Sequence, residues 1–147
     1  MYTKILVPTD GSKLSDRAVK HAGKLASLAG ARVQLLYVHE PYDESLAAEL
    51  SPAVYTGRRK MEATLRARAK ALLDKAARLV TDRGAVAGTT FVISPSPYEE
   101  ILKTAKKEKC DLVVMASHGR RGLAGVILGS VAQKVLTHSR CPVLIVK

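Results

Sequence analysis

The sequence predicts an α/β fold: one doubly wound domain over residues 1–147, with a five-stranded parallel sheet, helices on both faces and strand order 3-2-1-4-5. Three observations carry this. Short apolar runs alternate with stretches whose apolar residues recur every three or four positions, the signature of strands alternating with helices. The runs are apolar on successive residues, as in strands covered on both faces. The 147 residues contain no internal repeat, linker or second zone of composition, and that length suits one core. Parallel neighbours then require right-handed helical crossovers.

Each element has its own signal. "KILVP", ended by Pro8, reads as the first strand. Leu14, Ala18, Ala22, Leu25 and Ala29 mark an amphipathic helix, with Ser12 or Ser15 as its cap and Gly30 as its stop. "RVQLLYVH" is the second strand. Residues 40–56, with their prolines and acids, read as an irregular connection. A long helix follows from Gly57, with Met61, Leu65, Ala69, Leu72, Ala76 and Leu79 on one face. "GTTFVIS" is the third strand. The next helix opens on "SPYEE", with Ser96 as cap, Pro97 at the first helical position and Glu99 three residues beyond the cap. "DLVVMAS" is the fourth strand, "SVAQKVLTHS" the last helix and "PVLIVK" the fifth strand.

The composition excludes several classes. No apolar run is long enough to span a membrane, so no membrane partner is expected. The opening "MYTKILVPTD" does not read as a secretory leader. Cys110 and Cys141 lack metal-ligand spacing and read as two buried, reduced thiols of a cytoplasmic protein. The formal charge of +11 raises the question of nucleic acid. Residues 57–83 hold nine Lys/Arg and three Asp/Glu, a pattern read as a solvated helix face. With one Phe and no Trp, platforms for stacking single-stranded bases are scarce. A nucleic-acid partner is therefore not expected.

Ligands of open parallel sheets sit beyond the carboxyl ends of the strands, where strand order reverses. Two loops are suited to that place: "PTDGS" after the first strand and "HGRRGLAGVILGS" after the fourth. The second holds Gly119, Gly122, Gly125 and Gly129 beside Arg120 and Arg121. Glycine allows close approach or positive φ, and converging N–H groups bind anions. Gly119 would free the chain after the fourth strand. Gly129 and Ser130 would offer their N–H groups at a helix N-terminus, with Arg120 assisting. Val126, Ile127 and Leu128 would pin the far side of the loop. Asp10 has two readings, a helix cap or an acceptor for ribose hydroxyls or a base amine. There is no Gly-Lys-Ser/Thr of a P-loop, and the glycines are spaced wrongly for G-x-G-x-x-G.

Over the whole chain, "ILVPTDGSKLSDRAVKHAGKLA", "LLYVH" and "DLVVMASHGRRGLAGVILGSVAQKVLTHSRCPVLIV" resemble the universal stress protein family. ATP-binding members carry a glycine, two residues, a glycine, nine residues, then Gly-Ser or Gly-Thr. Here Gly119 and Gly129-Ser130 match, while Ala116 stands where the first glycine belongs. The resemblance implies ATP, AMP or ADP as ligand, with Mg2+. It implies that Pro8, Thr9 and Asp10 line the adenosine side and Val38 meets the adenine. Met115 through Arg120, including Ala116, His118 and Gly119, would wrap ribose and phosphates, and Gly129, Ser130 and Val131 would hold the phosphate tail. It implies a stress-response sensor or regulatory module with at most slow ATP hydrolysis, no catalytic role for His118, and a homodimer through strand 142–147. The alternatives are an adenylylating enzyme, and a nucleic-acid or protein-interaction module built on the basic helix.

Overall fold

Successive residues of the central strands are buried, and alternate ones serve different cores. In the computed structural model, which describes residues 1–41, 52–119 and 128–147, β1 spans Lys4–Pro8, β2 Arg32–His39, β3 Val86–Ile93, β4 Leu112–Ala116 and β5 Val143–Val146. All pair in parallel in the order β3-β2-β1-β4-β5. The helices α1 (Lys13–Ala29), α2 (Pro52–Thr81), α3 (Pro97–Lys107) and α4 (Ser130–His138) lie between them in sequence.

Ile5, Val7, Val33, Leu35 and Val114 join one core with Val19 and Ala22 of α1 and Leu73 and Val80 of α2. Leu6, Leu36, Val113 and Met115 join the other with Ile101 of α3 and Val135 of α4. This alternation follows from the period-2 side-chain pattern of a strand, and it explains why the inner parts of β1 and β4 are apolar on successive residues. Ser12 is the cap of α1: its hydroxyl accepts the Ser15 N–H at 3.2 Å. Gly30 ends α1 at φ 65°, a left-handed turn that glycine adopts without a Cβ penalty.

Four expectations change at element ends. α2 begins at Pro52 rather than Gly57, so part of the stretch read as irregular is helical. Proline opens the helix because the first turn needs no N–H from it. β3 begins at Val86, two residues before the expected Gly88, where it continues the ladder with Arg32. Ser96 precedes α3, with Pro97 following as expected, but its side chain makes no capping bond. Instead the Ser96 N–H donates to Ser94 Oγ at 3.3 Å, and Glu99 accepts from the Tyr98 hydroxyl. A pair of sites in the loop, Val126 and Ile127, lies outside the described residues, whereas Leu128 packs against the α3–α4 core as expected. Among the described residues, no helix is long and apolar enough to cross a membrane.

Candidate functional site

The strand order reverses between β1 and β4, which pair directly through Ile5–Leu112 and Leu6–Val113. Their two following loops therefore leave the sheet side by side and diverge, opening a crevice of about 630 Å³. That volume is in the range of small-molecule sites.

The first wall is the β1–α1 loop, held by short-range polar bonds. The Thr9 N–H continues the ladder to the Leu36 carbonyl at 2.9 Å, and its hydroxyl meets Ser15 Oγ at 3.0 Å. Gly11, at φ 76°, turns the chain so that the Ser12 N–H reaches Asp10 Oδ1 at 2.9 Å. Of the two readings of Asp10, the α1 cap belongs to Ser12. The Asp10 carboxylate is tied to the cap residue's N–H, and its Oδ2 faces the opposite loop at Gly119. A Cβ on Gly119 would lie 2.8 Å from Asp10 Oδ2. Gly119 thus serves close approach to the Asp10 side chain rather than positive φ.

The second wall is the end of β4 and the start of α4. The Ser117 N–H bonds the Val146 carbonyl at 3.0 Å, carrying the β4–β5 ladder one residue further. The Ser117 carbonyl accepts the Gly129 N–H at 2.7 Å. This corrects one expectation: the Gly129 N–H is engaged within the protein and does not face the crevice. A Cβ at Gly129 would lie 3.0 Å from that carbonyl oxygen and 3.4 Å from His118 Cα, so glycine lets α4 begin in contact with the end of β4. The Gln133 N–H takes the Gly129 carbonyl. The N–H groups of Ser130, Val131 and Ala132 are the first-turn donors with no acceptor in the helix. All three residues line the crevice, and the positive end of the α4 dipole adds to them.

His118 lies between the walls. Its Nδ1 is 2.9 Å from Ser117 Oγ. Its Nε2 is buried with no hydrogen-bond partner among the described residues. A buried polar nitrogen without a partner is costly, and a ligand acceptor in the crevice would relieve it. With no carboxylate on that nitrogen among the described residues, Ser117 and His118 do not form a nucleophile–base–acid chain. Among the described residues no group of three His, Cys, Asp or Glu could hold a metal ion.

Pro8, Thr9, Asp10, Val38, Met115, Ala116, His118, Gly119, Gly129, Ser130 and Val131 all line this one crevice, whereas Arg120 lies outside the described residues. Ala116 is 8% exposed and packs in the α1–α2 core. Sequence reasoning missed other lining residues, chiefly Tyr37, His39, Glu40 and Pro41 at the end of β2, and Pro97 and Ile101 at the start of α3. Topology was the available signal, since α3 begins at the same edge of the sheet where β3 ends. Cys110 and Cys141 are free and half-buried in the α3–α4 layer, and burial pushes the Cys110 thiol up to about 11.

A family model described as the universal stress protein family matches residues 1–147. Universal stress protein MJ0531 of Methanocaldococcus jannaschii is 37% identical over 149 residues, an alignment covering 100% of this chain and 83% of the relative. The solved structure of MJ0577, from the same organism, matches with a TM-score of 0.83 at 33% identity, covering 100% of this chain and 96% of that one. A universal stress protein solved in complex with cAMP matches with a TM-score of 0.72 at 28% identity, covering 99% and 96%.

Proposed function

Since the chain belongs to the universal stress protein family, we propose that its crevice holds an adenine nucleotide, ATP with Mg2+, and that it acts as a nucleotide-dependent stress-response sensor or regulatory module. The observation that carries this reading is the α4 N-terminus. Its three first-turn residues, whose N–H groups have no acceptor in the helix, line a crevice of nucleotide size, and Gly129 seats them directly on the end of β4. A structural relative with cAMP in place supports the adenine-nucleotide class.

In this reading Ser130 and Val131 hold the phosphate tail with their N–H groups, and the His118 Nε2 finds its partner on the ligand. Asp10, fixed by the Ser12 N–H, accepts from the ribose, and Pro8, Thr9 and Val38 enclose the adenosine. Met115, Ala116 and Gly119 form the floor beneath ribose and phosphates, and Arg120 adds charge from its loop. The described residues supply no three-ligand metal set, so Mg2+ would be held chiefly by the phosphates, as is usual for this ion. Hydrolysis in this reading is slow at most, because the His118–Ser117 pair lacks an acid.

The chain is further proposed to form a homodimer through strand 142–147. β5 is an edge strand paired on one side to β4, and its four residues are only partly covered. An open apolar edge of this kind favours strand pairing. The two unpaired cysteines suit a cytoplasmic location. Mass spectrometry of the small molecules released on denaturing the purified protein, with calorimetric titration of ATP, ADP and AMP, tests the nucleotide. An adenine nucleotide released or bound is expected; no release and no binding of any of the three would overturn the reading. A monomeric mass at micromolar concentration would remove the dimer.

A further inference from the structure

We propose that the outer face of the α1–α2 layer docks the phosphate backbone of double-stranded nucleic acid, without regard to base sequence. The starting point is the phase of the cations on α1. Lys13, Arg17, Lys20 and Lys24 recur every three or four residues and all are exposed. At about 100° per residue they fall within a sector of roughly 60°. That sector points directly away from Ala18, Val19, Ala22 and Ala26, which are fully buried against the sheet. Along the axis the four span about 16 Å, the rise of about five phosphates of one duplex strand.

The stripe carries no acid of its own. Asp16 is the one acidic residue of α1, and it is turned toward α2, where Lys75 Nζ holds it at 2.7 Å. This contact also orients α2. Arg68 and Arg78 lie on the Lys75 side of that helix by its phase, exposed and without an ion-pair partner among the described residues. They extend the stripe sideways into a basic face, against which count the exposed Asp82 just past α2 and Asp74, which Lys70 neutralises. The net charge of the chain, +11, has the sign that such a partner needs.

Physical chemistry selects the duplex among polyanions. Neither α1 nor the described outer surface of α2 carries a Phe, Tyr or Trp, and the exposed imidazole of His21 offers a single stacking surface where a run of unpaired bases needs several. Stable attachment to a bilayer combines basic charge with an apolar face free to insert, and the apolar face of α1 is occupied by the sheet, leaving only Leu28 exposed at its end. An acidic protein partner would look for an aromatic or apolar anchor among the charges, and the stripe has none. What remains is a row of cations at phosphate-like spacing, which reads charge and not sequence.

The test is fluorescence anisotropy of a labelled 20-base-pair duplex of arbitrary sequence, titrated with the full chain at about 50 and 200 mM salt. Binding at low salt that weakens steeply with salt is expected. The Arg17→Glu/Lys20→Glu/Lys24→Glu variant should bind more than tenfold more weakly at about 50 mM, with a salt slope shallower by about 2.7 for three lost phosphate contacts. The Lys103→Glu/Lys106→Glu/Lys107→Glu variant makes the same charge change on α3 and should bind within about threefold of the unaltered chain. Thermal unfolding monitors both, and the matching glutamine triple on α1 replaces the glutamate one if that fails to fold. Absence of binding at low salt, or equal losses in the two variants, overturns the proposal. So does stronger binding of a single strand of equal length, or capture by phosphatidylserine vesicles with no affinity for the duplex.

Discussion

Replacing Gly129 by alanine tests the phosphate cradle at its most constrained point. Gly129 sits at φ −69° and ψ 155°, a conformation open to alanine, so the substitution introduces no torsional strain. Its effect is purely steric: the new methyl would stand 3.0 Å from the Ser117 carbonyl oxygen and 3.4 Å from His118 Cα. Both are backbone atoms and cannot rotate away. The start of α4 must retreat by a few tenths of an ångström, stretching the 2.7 Å bond from the Gly129 N–H to Ser117. The three first-turn N–H groups then shift relative to the Asp10 wall. Losing one hydrogen bond to a charged phosphate weakens binding by about 1.5–3 kcal/mol, or roughly 10–150-fold in Kd. The stability loss should stay near about 0.5–1.5 kcal/mol, the worth of the one internal bond. Calorimetric titration with ATP, paired with urea unfolding, reads both quantities. Ser130→Ala is the control: it keeps the backbone donor and should lose less than about tenfold. A Gly129→Ala protein that binds ATP within twofold of the original, with its fold intact, would refute the cradle.

Three further outcomes follow from the same geometry. Ala116→Gly restores the motif glycine, so ATP affinity should hold or rise while stability falls by roughly 1–2 kcal/mol, through a lost buried methyl and a freer unfolded chain; a sharp loss of affinity in the titration would contradict this. Because burial raises the Cys110 thiol from 9.0 to about 11, it should alkylate with iodoacetamide roughly tenfold more slowly at pH 8 than in the unfolded chain, the smaller thiolate fraction being partly offset by greater nucleophilicity, as mass spectrometry of timed samples would record. At the sheet's other end, desolvation pushes the Asp111 carboxyl up, but bonds from the Thr3 hydroxyl and from the Thr3 and Lys4 N–H groups outweigh it and leave it below its ordinary 3.8. The Lys4 ammonium, bonded to Glu108 at 2.6 Å, holds that carboxyl below 4.5. Depressed carboxylates contribute stability that is complete above their unfolded values and lost as pH falls through the folded ones. Urea midpoints should therefore be level above about pH 5 and decline below it, less steeply in Asp111→Asn; an unchanged slope in that variant would exclude the clamp.

The fold was legible because its signals are local and repeated. The central strands were visible as apolar runs, since burial on two faces leaves few polar positions, and the edge strands β3 and β5 as shorter apolar stretches. α1 carried its cap and stop in Ser12 and Gly30. Errors fell where one residue has two uses. Pro52 looked like a breaker but opens α2, and Ser96 holds the cap position of α3 but its hydroxyl makes no capping bond, while its own N–H donates to the Ser94 hydroxyl. At the site, the glycine-bearing loop was readable from the residues, the remaining site residues followed from the family resemblance, and the described ones share one crevice. The direction of the Gly129 N–H was not, because it depends on how far α4 is drawn toward β4.

What the sequence by itself determined is the alternation of strand and helix and the positions of the two glycine-bearing loops, because periodicity, caps and chain flexibility are properties of neighbouring residues. Only the tertiary structure decided that Gly119 faces Asp10, that Gly129 touches Ser117, and that Asp16 turns to Lys75 and leaves the α1 cations in a row without an acid. Those outcomes depend on distances between segments far apart in the chain, and such distances are set only when the two cores pack on opposite faces of the sheet.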